Sequence, residues 1–178
     1  STVPLQDQFH NQFQADSSLW SHHCGLVSFN KSLTFSNSNI SICGRLISTT
    51  LSHSSDLFDP IRIHVLYAPA DRTSRNPFLL ALSNLSHSSL LPETPLRCIL
   101  LGDFNYSTVR YLSSGSSNSR SPAPVSWMNY INTHYVDGVT PQDQTAVPTF
   151  HRGMQQSCID YIYLSSDLSP SRVSGQVQ

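Results

Sequence analysis

Leu100-Leu-Gly-Asp-Phe-Asn105 and, further along, Ser157-Cys-Ile-Asp-Tyr-Ile162 are the two stretches on which the reading of this chain turns. Cys98 to Leu101 is continuously apolar and short, which suits a central strand buried on both faces. That strand ends in Gly-Asp-x-Asn, and the i, i+2 spacing points Asp103 and Asn105 the same way. Asp103 is then placed to act as a base or to position a water, and Asn105 to donate to a phosphate oxygen. The same residues also fit an Asx-rich turn that closes a strand. In the second stretch, Asp160 interrupts a run of β-branched and aromatic residues. A carboxylate there is costly to bury unless it is hydrogen-bonded or near a metal; a strand-end aspartate capping a neighbouring loop is the other reading. A third feature precedes both: Val65-Leu-Tyr67-Ala-Pro69 sets a tyrosine hydroxyl at a strand end, although a lone tyrosine there is also simple core.

The pattern around these stretches alternates strand and helix. Ile61, Ile63 and Val65 alternate with Arg62 and His64, the signature of a half-buried strand. Residues 24–30 and 39–48 read as two further strands joined by the turn-forming Ser36 to Asn39, with a Ser-rich connection over 49–59. After a loop over 68–76, Pro77 opens a helix at its first turn, with Phe78, Leu79, Leu82 and Leu85 on its apolar stripe. Leu91-Pro-Glu-Thr-Pro95 ends it. Val125, Met128, Ile131 and Tyr135 form a second helical stripe, with Trp127 and Tyr130 beside it as core rather than as stacking platforms. Residues 112–121 are a Ser/Gly/Asn-rich excursion, 140–148 a loop, and 159–164 the last strand. The class is α/β, a layered sandwich.

Composition narrows the function. The 178 residues are 38% hydrophobic, enough for one domain with a core and too few for two. Charged residues are only 12%, against roughly 25% in an average soluble domain. The formal net charge of -1 lacks the footprint of a strong, non-specific nucleic-acid binder, though a transiently acting enzyme does not need one. Cys24, Cys43, Cys98 and Cys158 stand apart with no CxxC pair, and read as reduced cysteines packed like small hydrophobes in an intracellular protein. No signal peptide and no apolar run near the roughly 20 residues of a membrane span is present. Arg72 and Arg75 follow Tyr67, Arg110 and Arg120 follow Asn105, and Arg152 precedes Asp160. Five of the ten Lys and Arg residues thus fall in loops expected to rim one site.

Tyr67-Ala-Pro69, Gly102-Asp-Phe-Asn105 and Ile159-Asp-Tyr161, in this order and spacing, resemble the endonuclease/exonuclease/phosphatase (DNase I-like) superfamily. Trp20 followed by His23-Cys-Gly25, and Pro148-Thr-Phe150 ahead of Ser157, make the chain most similar to the endonuclease domain of LINE-type (non-LTR) retrotransposons. The resemblance is strongest over 20–168 within a single partial domain, 1–178. It implies a four-layered α/β sandwich, incomplete at both termini, that hydrolyses phosphodiesters with Mg²⁺ or Mn²⁺. Asp103 resembles the residue that activates the water, Asn105 and Tyr67 resemble phosphate ligands, and Asp160 resembles the carboxylate that orients a catalytic histidine. Arg72, Arg110, Arg152 and His151 are then candidates for contact with a DNA substrate. Nuclear localisation and fusion to a reverse transcriptase follow from the same resemblance. The chain departs from the pattern in two places. Its one glutamate, Glu93, lies in a linker and does not match the family's early metal ligand, so the metal ligands are not identified. Ser166-Asp167-Leu168 lacks the histidine of the late Ser-Asp-His element. Impaired catalysis is the expectation. The rival readings are a repair endonuclease, an inositol-phosphate or sphingomyelin phosphatase of the same superfamily, or a decayed, non-catalytic copy.

Overall fold

The computed structural model describes residues 5–41, 43–83, 90–108, 122–140 and 146–171. In chain order the elements are α1 (Leu5–Phe13), β1 (Ser17–Trp20), β2 (Gly25–Ser28), β3 (Leu33–Ile40), β4 (Leu46–His53), β5 (Ile61–Tyr67), α2 (Arg72–Ser83), β6 (Cys98–Asp103), α3 (Val125–His134), β7 (Tyr135–Asp137), β8 (Phe150–Arg152), β9 (Gln155–Ser157) and β10 (Asp160–Ser165), closed by a 3-10 turn at Ser166–Ser171. Six strands form one mixed sheet in the order β3-β4-β5-β6-β10-β7. Only β5 and β6 run parallel; the other neighbours are antiparallel.

One face of this sheet is covered by helices. Leu79 and Leu82 of α2 and Trp127, Tyr130 and Ile131 of α3 pack on Leu46, Leu66, Cys98, Leu100, Tyr161 and Tyr163. Phe104 sits at the centre, fully buried, with its ring edge-on to Tyr106, Tyr161 and Tyr163 at 5.3 to 5.8 Å between centroids. Such edge-to-face pairs add to what area burial alone supplies. The Trp127 indole donates to the Tyr106 hydroxyl at 2.9 Å, so the largest buried side chain leaves no polar atom unanswered. On the other face the β1–β2 hairpin lays Leu19 and Leu26 over Ile47, Ile63 and Val65. Trp20, the next residue along β1, stacks outward against Phe9 and Phe13 of α1. The order is therefore α1, a two-stranded layer, the six-stranded sheet, then α2 and α3. It is the expected α/β sandwich of four layers, with a thin second sheet.

Several expected boundaries move. Ser36 to Asn39 is not a turn between strands: it lies inside β3, and its turn chemistry goes into a bulge where the register to β4 shifts and Asn37 adopts φ +50°. The turn falls between Ile40 and Leu46, with Gly44 at φ +64° donating to the Ser41 carbonyl. β4 continues to His53, into the stretch read as a connection, because β3 and β5 pair with it on both sides. β2 pairs with β1 and not with the following strand. Helix α2 starts at Arg72, ahead of Pro77, because the Asp71 carboxylate accepts from the Ser74 amide at 2.8 Å and the Thr73 hydroxyl at 2.6 Å, an N-cap that outranks the proline signal. Those bonds hold the Asp71 carboxyl well below its ordinary range. The buried face of α3 is Trp127, Tyr130 and Ile131, rotated from the expected stripe; Val125 is exposed and Tyr135 belongs to β7. Cys24, Cys98 and Cys158 are buried free thiols as expected, whereas Cys43 is exposed in the turn after β3. Leu85, the excursion 112–121 and most of the 140–148 loop lie outside the described residues.

Candidate active site

The site begins with a matter of register. Tyr67, the last residue of β5, pairs with Asp103, the last residue of β6, and Asp103 pairs in turn with Asp160, the first residue of β10. Directly paired residues share a face, so the three side chains form one row across three adjacent strands, about 10 Å from end to end at the usual strand spacing. They lie on the same face as Ile63, Val65 and Leu101, opposite to the helices.

Gly102 makes this register possible. It sits at φ +137°, and a Cβ added there would meet the Leu66 carbonyl oxygen at 1.9 Å. Only glycine lets β6 come this close to β5 immediately before Asp103. Beyond Asp103 the strand stops. Asn105 takes φ +53°, its backbone amide donates to Asp103 Oδ1 at 2.8 Å, and its side-chain Nδ2 donates to the Ala68 carbonyl at 2.8 Å. Asp103 and Asn105 are thus brought together by an Asx turn and not by the alternation of a strand, and both sequence readings of Gly-Asp-x-Asn are realised in one structure.

Burial raises the Asp103 carboxyl above its ordinary range and the Asp160 carboxylate raises it further, against the Asn105 amide and the Arg75 guanidinium. Asp160 is exposed, not inside the core, so the desolvation argument made for it from sequence does not apply. Thr149 Oγ1 accepts from the Ile159 and Asp160 amides at 3.1 and 3.2 Å and so fixes the start of β10. Thr149 was visible only as part of Pro148-Thr-Phe150. Tyr67 is half-buried; the His23 imidazole stacks on its ring at 5.7 Å and the Arg45 guanidinium lies 5.3 Å from the ring centre. His23 is exposed and borders the row. No sequence feature marked Arg45.

Beside the row lies a cleft of about 480 Å³, walled by Arg72 and Arg75 of α2, Asn105 and Ser107, and Phe150 and Arg152 of the β8–β9 hairpin. Phe150 and Arg152 are two apart on one strand and share a face; His151, out of phase with them, does not line the cleft. Arg72 and Arg152 therefore belong to the wall of the cleft, and His151 does not. Arg110 and Arg120 lie outside the described residues. Among the described residues no three His, Cys, Asp or Glu side chains cluster to hold a metal ion.

The chain superposes on structures of one fold. Over 85% of its length the chain superposes on 68% of the endonuclease domain of TRAS1, a telomere-specific non-LTR retrotransposon, at 16% identity and a TM-score of 0.55. Against a humanized Danio rerio TDP2 the values are 93% of this chain, 67% of that one, 14% identity and a TM-score of 0.51. Against the human Nocturnin catalytic domain they are 92%, 65%, 15% and 0.50. The chain thus spans about two thirds of the structures it matches. No protein-family model and no curated protein matches the sequence. The chain has the DNase I-like fold of endonucleases, exonucleases and phosphatases. The fold is that of nucleases and phosphoesterases, hydrolytic enzymes of phosphate esters; TRAS1 is the retrotransposon endonuclease among them. No helix among the described residues is long and apolar enough to cross a membrane.

Proposed function

We propose that this chain is a metal-dependent phosphodiesterase domain that nicks DNA, of the kind carried by non-LTR retrotransposons beside a reverse transcriptase. The observation that carries the reading is the row Tyr67, Asp103 and Asp160, set in register at the ends of three strands and bordered by three arginines. Further support comes from the DNA-processing proteins that share the fold: one is a retrotransposon endonuclease, and Danio rerio TDP2 has been seen with a single-stranded DNA product.

A hard divalent cation is bound by one or two carboxylates, with substrate phosphate and water completing its shell. Asp103 and Asp160, paired on adjacent strands, would be the oxygen donors to hold Mg²⁺ or Mn²⁺ on those terms, which gives Asp160 a different part from the histidine-orienting one that the resemblance implies. Such an ion supplies charge neutralisation at the phosphate and a more acidic bound water. The chain's own groups supply the rest. Asp103, with its carboxyl raised by burial, is suited to take a proton from an attacking water. One amide hydrogen of Asn105 is committed to Ala68, which fixes the side chain so that the second can meet a phosphate oxygen. The Tyr67 phenol donates to the same phosphate, its ring held by His23. Positioning and charge account for most of the rate in phosphoryl chemistry.

Conversion of supercoiled plasmid to open circles with Mg²⁺, by this chain and by Asp103→Ala, is the test. Because Glu93 and Ser166-Asp167-Leu168 do not supply the family's metal ligand and histidine, nicking should be slow. A rate above the protein-free blank that disappears in Asp103→Ala supports the reading; equal conversion by both proteins, at the blank level or above it, removes it.

A further inference from the structure

Arg75 is 93% buried, since 7% of its surface is exposed. Its Nη1 donates to the Ala70 carbonyl at 2.7 Å and reaches the Pro69 carbonyl at 3.4 Å, so the guanidinium ties the loop after Tyr67 to helix α2. Its Nε, also buried, has no hydrogen-bond partner. A buried N–H left unanswered costs about 1–3 kcal/mol, more when the group is charged, and native structures rarely tolerate it without a reason. The reason lies in the wall Arg75 belongs to. Arg72, Arg75 and Arg152 line the cleft, and no acidic side chain is among the described residues that do. Three cations without an acid are a marked local excess in a chain of net charge -1. Burial and the neighbouring Arg72 charge weaken the hold of Arg75 on its proton, against the carboxylates of Asp71 and Asp103 outside the cleft wall. An anion in the cleft relieves both effects, and a guanidinium turned towards it gives the enclosed Nε its partner.

We propose that this cleft is a phosphate subsite, with Arg75 as its fixed donor and Arg72 and Arg152 as its rim, distinct from the phosphate position addressed by Asp103. Tyr67, Asp103 and Asp160 do not line the cleft; Asn105 alone belongs to both places. A phosphate seated on Arg75 therefore leaves Asp103 facing its neighbour. The substrate is then a strand with at least two consecutive phosphodiesters, with a base or sugar resting on the half-exposed Phe150, and not an isolated phosphate ester. This deepens the nuclease reading and rests on it.

The test uses the whole chain with EDTA, so that turnover does not enter. Anisotropy of a fluorescein-labelled single-stranded DNA decamer is measured for the unaltered protein, Arg75→Lys and Arg152→Ala, with inorganic phosphate as competitor and the Arg75 Nε–H resonance followed by NMR. Arg75→Lys keeps the charge and loses the planar donor set, so decamer affinity should fall about 10- to 100-fold. Arg152→Ala, on an exposed hairpin, should lower the slope of log affinity against log salt by about one. Inorganic phosphate should shift the Nε–H resonance and displace the decamer. Unchanged affinity in Arg75→Lys, at an unchanged melting temperature, overturns the subsite. If Arg75→Lys fails to fold, the Nε–H shift and the Arg152→Ala slope decide, and a negative result in both overturns it. A phosphate-induced shift without decamer binding keeps the anion site and sinks the polynucleotide reading. Neither response in the folded protein sinks both.

Discussion

The two faces of the six-stranded sheet are built on opposite terms. The helix-side face is closed: Phe104, Tyr106, Trp127, Tyr130, Tyr135, Tyr161 and Tyr163 form a continuous aromatic lattice around Leu66, Leu79, Leu82 and Leu100. The other face buries Cys24, Ile47, Ile63 and Val65 under a two-stranded hairpin; Leu101 and Tyr67 are half-covered, and Ile162 is 40% exposed. Asp103 and Asp160 are on this second face, paired side by side. Two carboxylates in register destabilise a sheet, and they are tolerated where water reaches them. The closed face holds the fold together, and the open one carries the proposed chemistry.

That division is open to attack in four places. The largest effect belongs to Trp127→Ala, which empties a fully buried site on the closed face and should cost about 3–5 kcal/mol in urea unfolding. A loss no greater than that of an Ile162 variant would mean the faces are not different in kind. Next is acid. His64, on the closed face, is buried against the Ser48 hydroxyl at 2.7 Å, and burial lowers its pKa to about 4. The unfolded chain takes up that proton near pH 6.5 and the folded one does not, so stability should fall as pH drops from 6.5 towards 4, by up to about 3 kcal/mol. Urea midpoints at pH 7.5 and 4.5, for this chain and His64→Leu, check it; His64→Leu should show the smaller loss. Third, Asp103→Asn on the open face should raise the melting temperature while abolishing nicking. The raised carboxyl makes the fold less stable as pH rises from its ordinary to its folded pKa, and the neutral amide removes that penalty; solvent screening holds the gain below about 1 kcal/mol. A lower melting temperature would show that the carboxylate stabilises the turn it accepts from. Smallest, Ile162→Thr should change stability by less than about 0.5 kcal/mol, as exposed substitutions do.

What the sequence disclosed follows the same division. β5 and β6 are legible because alternation in Ile61 to Val65 and the apolar run from Cys98 to Leu101 answer to burial in the sheet itself. β3 reads Leu-Thr-Phe-Ser-Asn-Ser-Asn-Ile, and most of it is exposed at a sheet edge. Pairing with β4 makes it a strand, and no local preference announces that. The start of α2 was hidden because an aspartate cap looks like any loop residue until its carboxylate is seen on the Ser74 amide. In the site, Tyr67, Asp103, Asn105 and Asp160 came from spacing and resemblance. Arg75 reads as one loop arginine among five, and Phe150 and His151 as neighbours in one loop. Only three-dimensional burial and the phase of the β8–β9 hairpin separate them.

The chain contains two tryptophans, and the layering puts them in unlike surroundings. Trp127 is sealed among aromatic rings with its indole bonded to Tyr106; Trp20 is partly open to solvent, stacked on Phe9 and Phe13 of α1. The protein therefore carries two internal lamps of different colour. Trp127 should emit towards the blue and redden only when the domain unfolds as a whole, whereas Trp20 should emit at longer wavelength and follow detachment of the N-terminal helix and hairpin. One fluorescence spectrum, resolved into these components, separates loosening of the outer layers from loss of the fold.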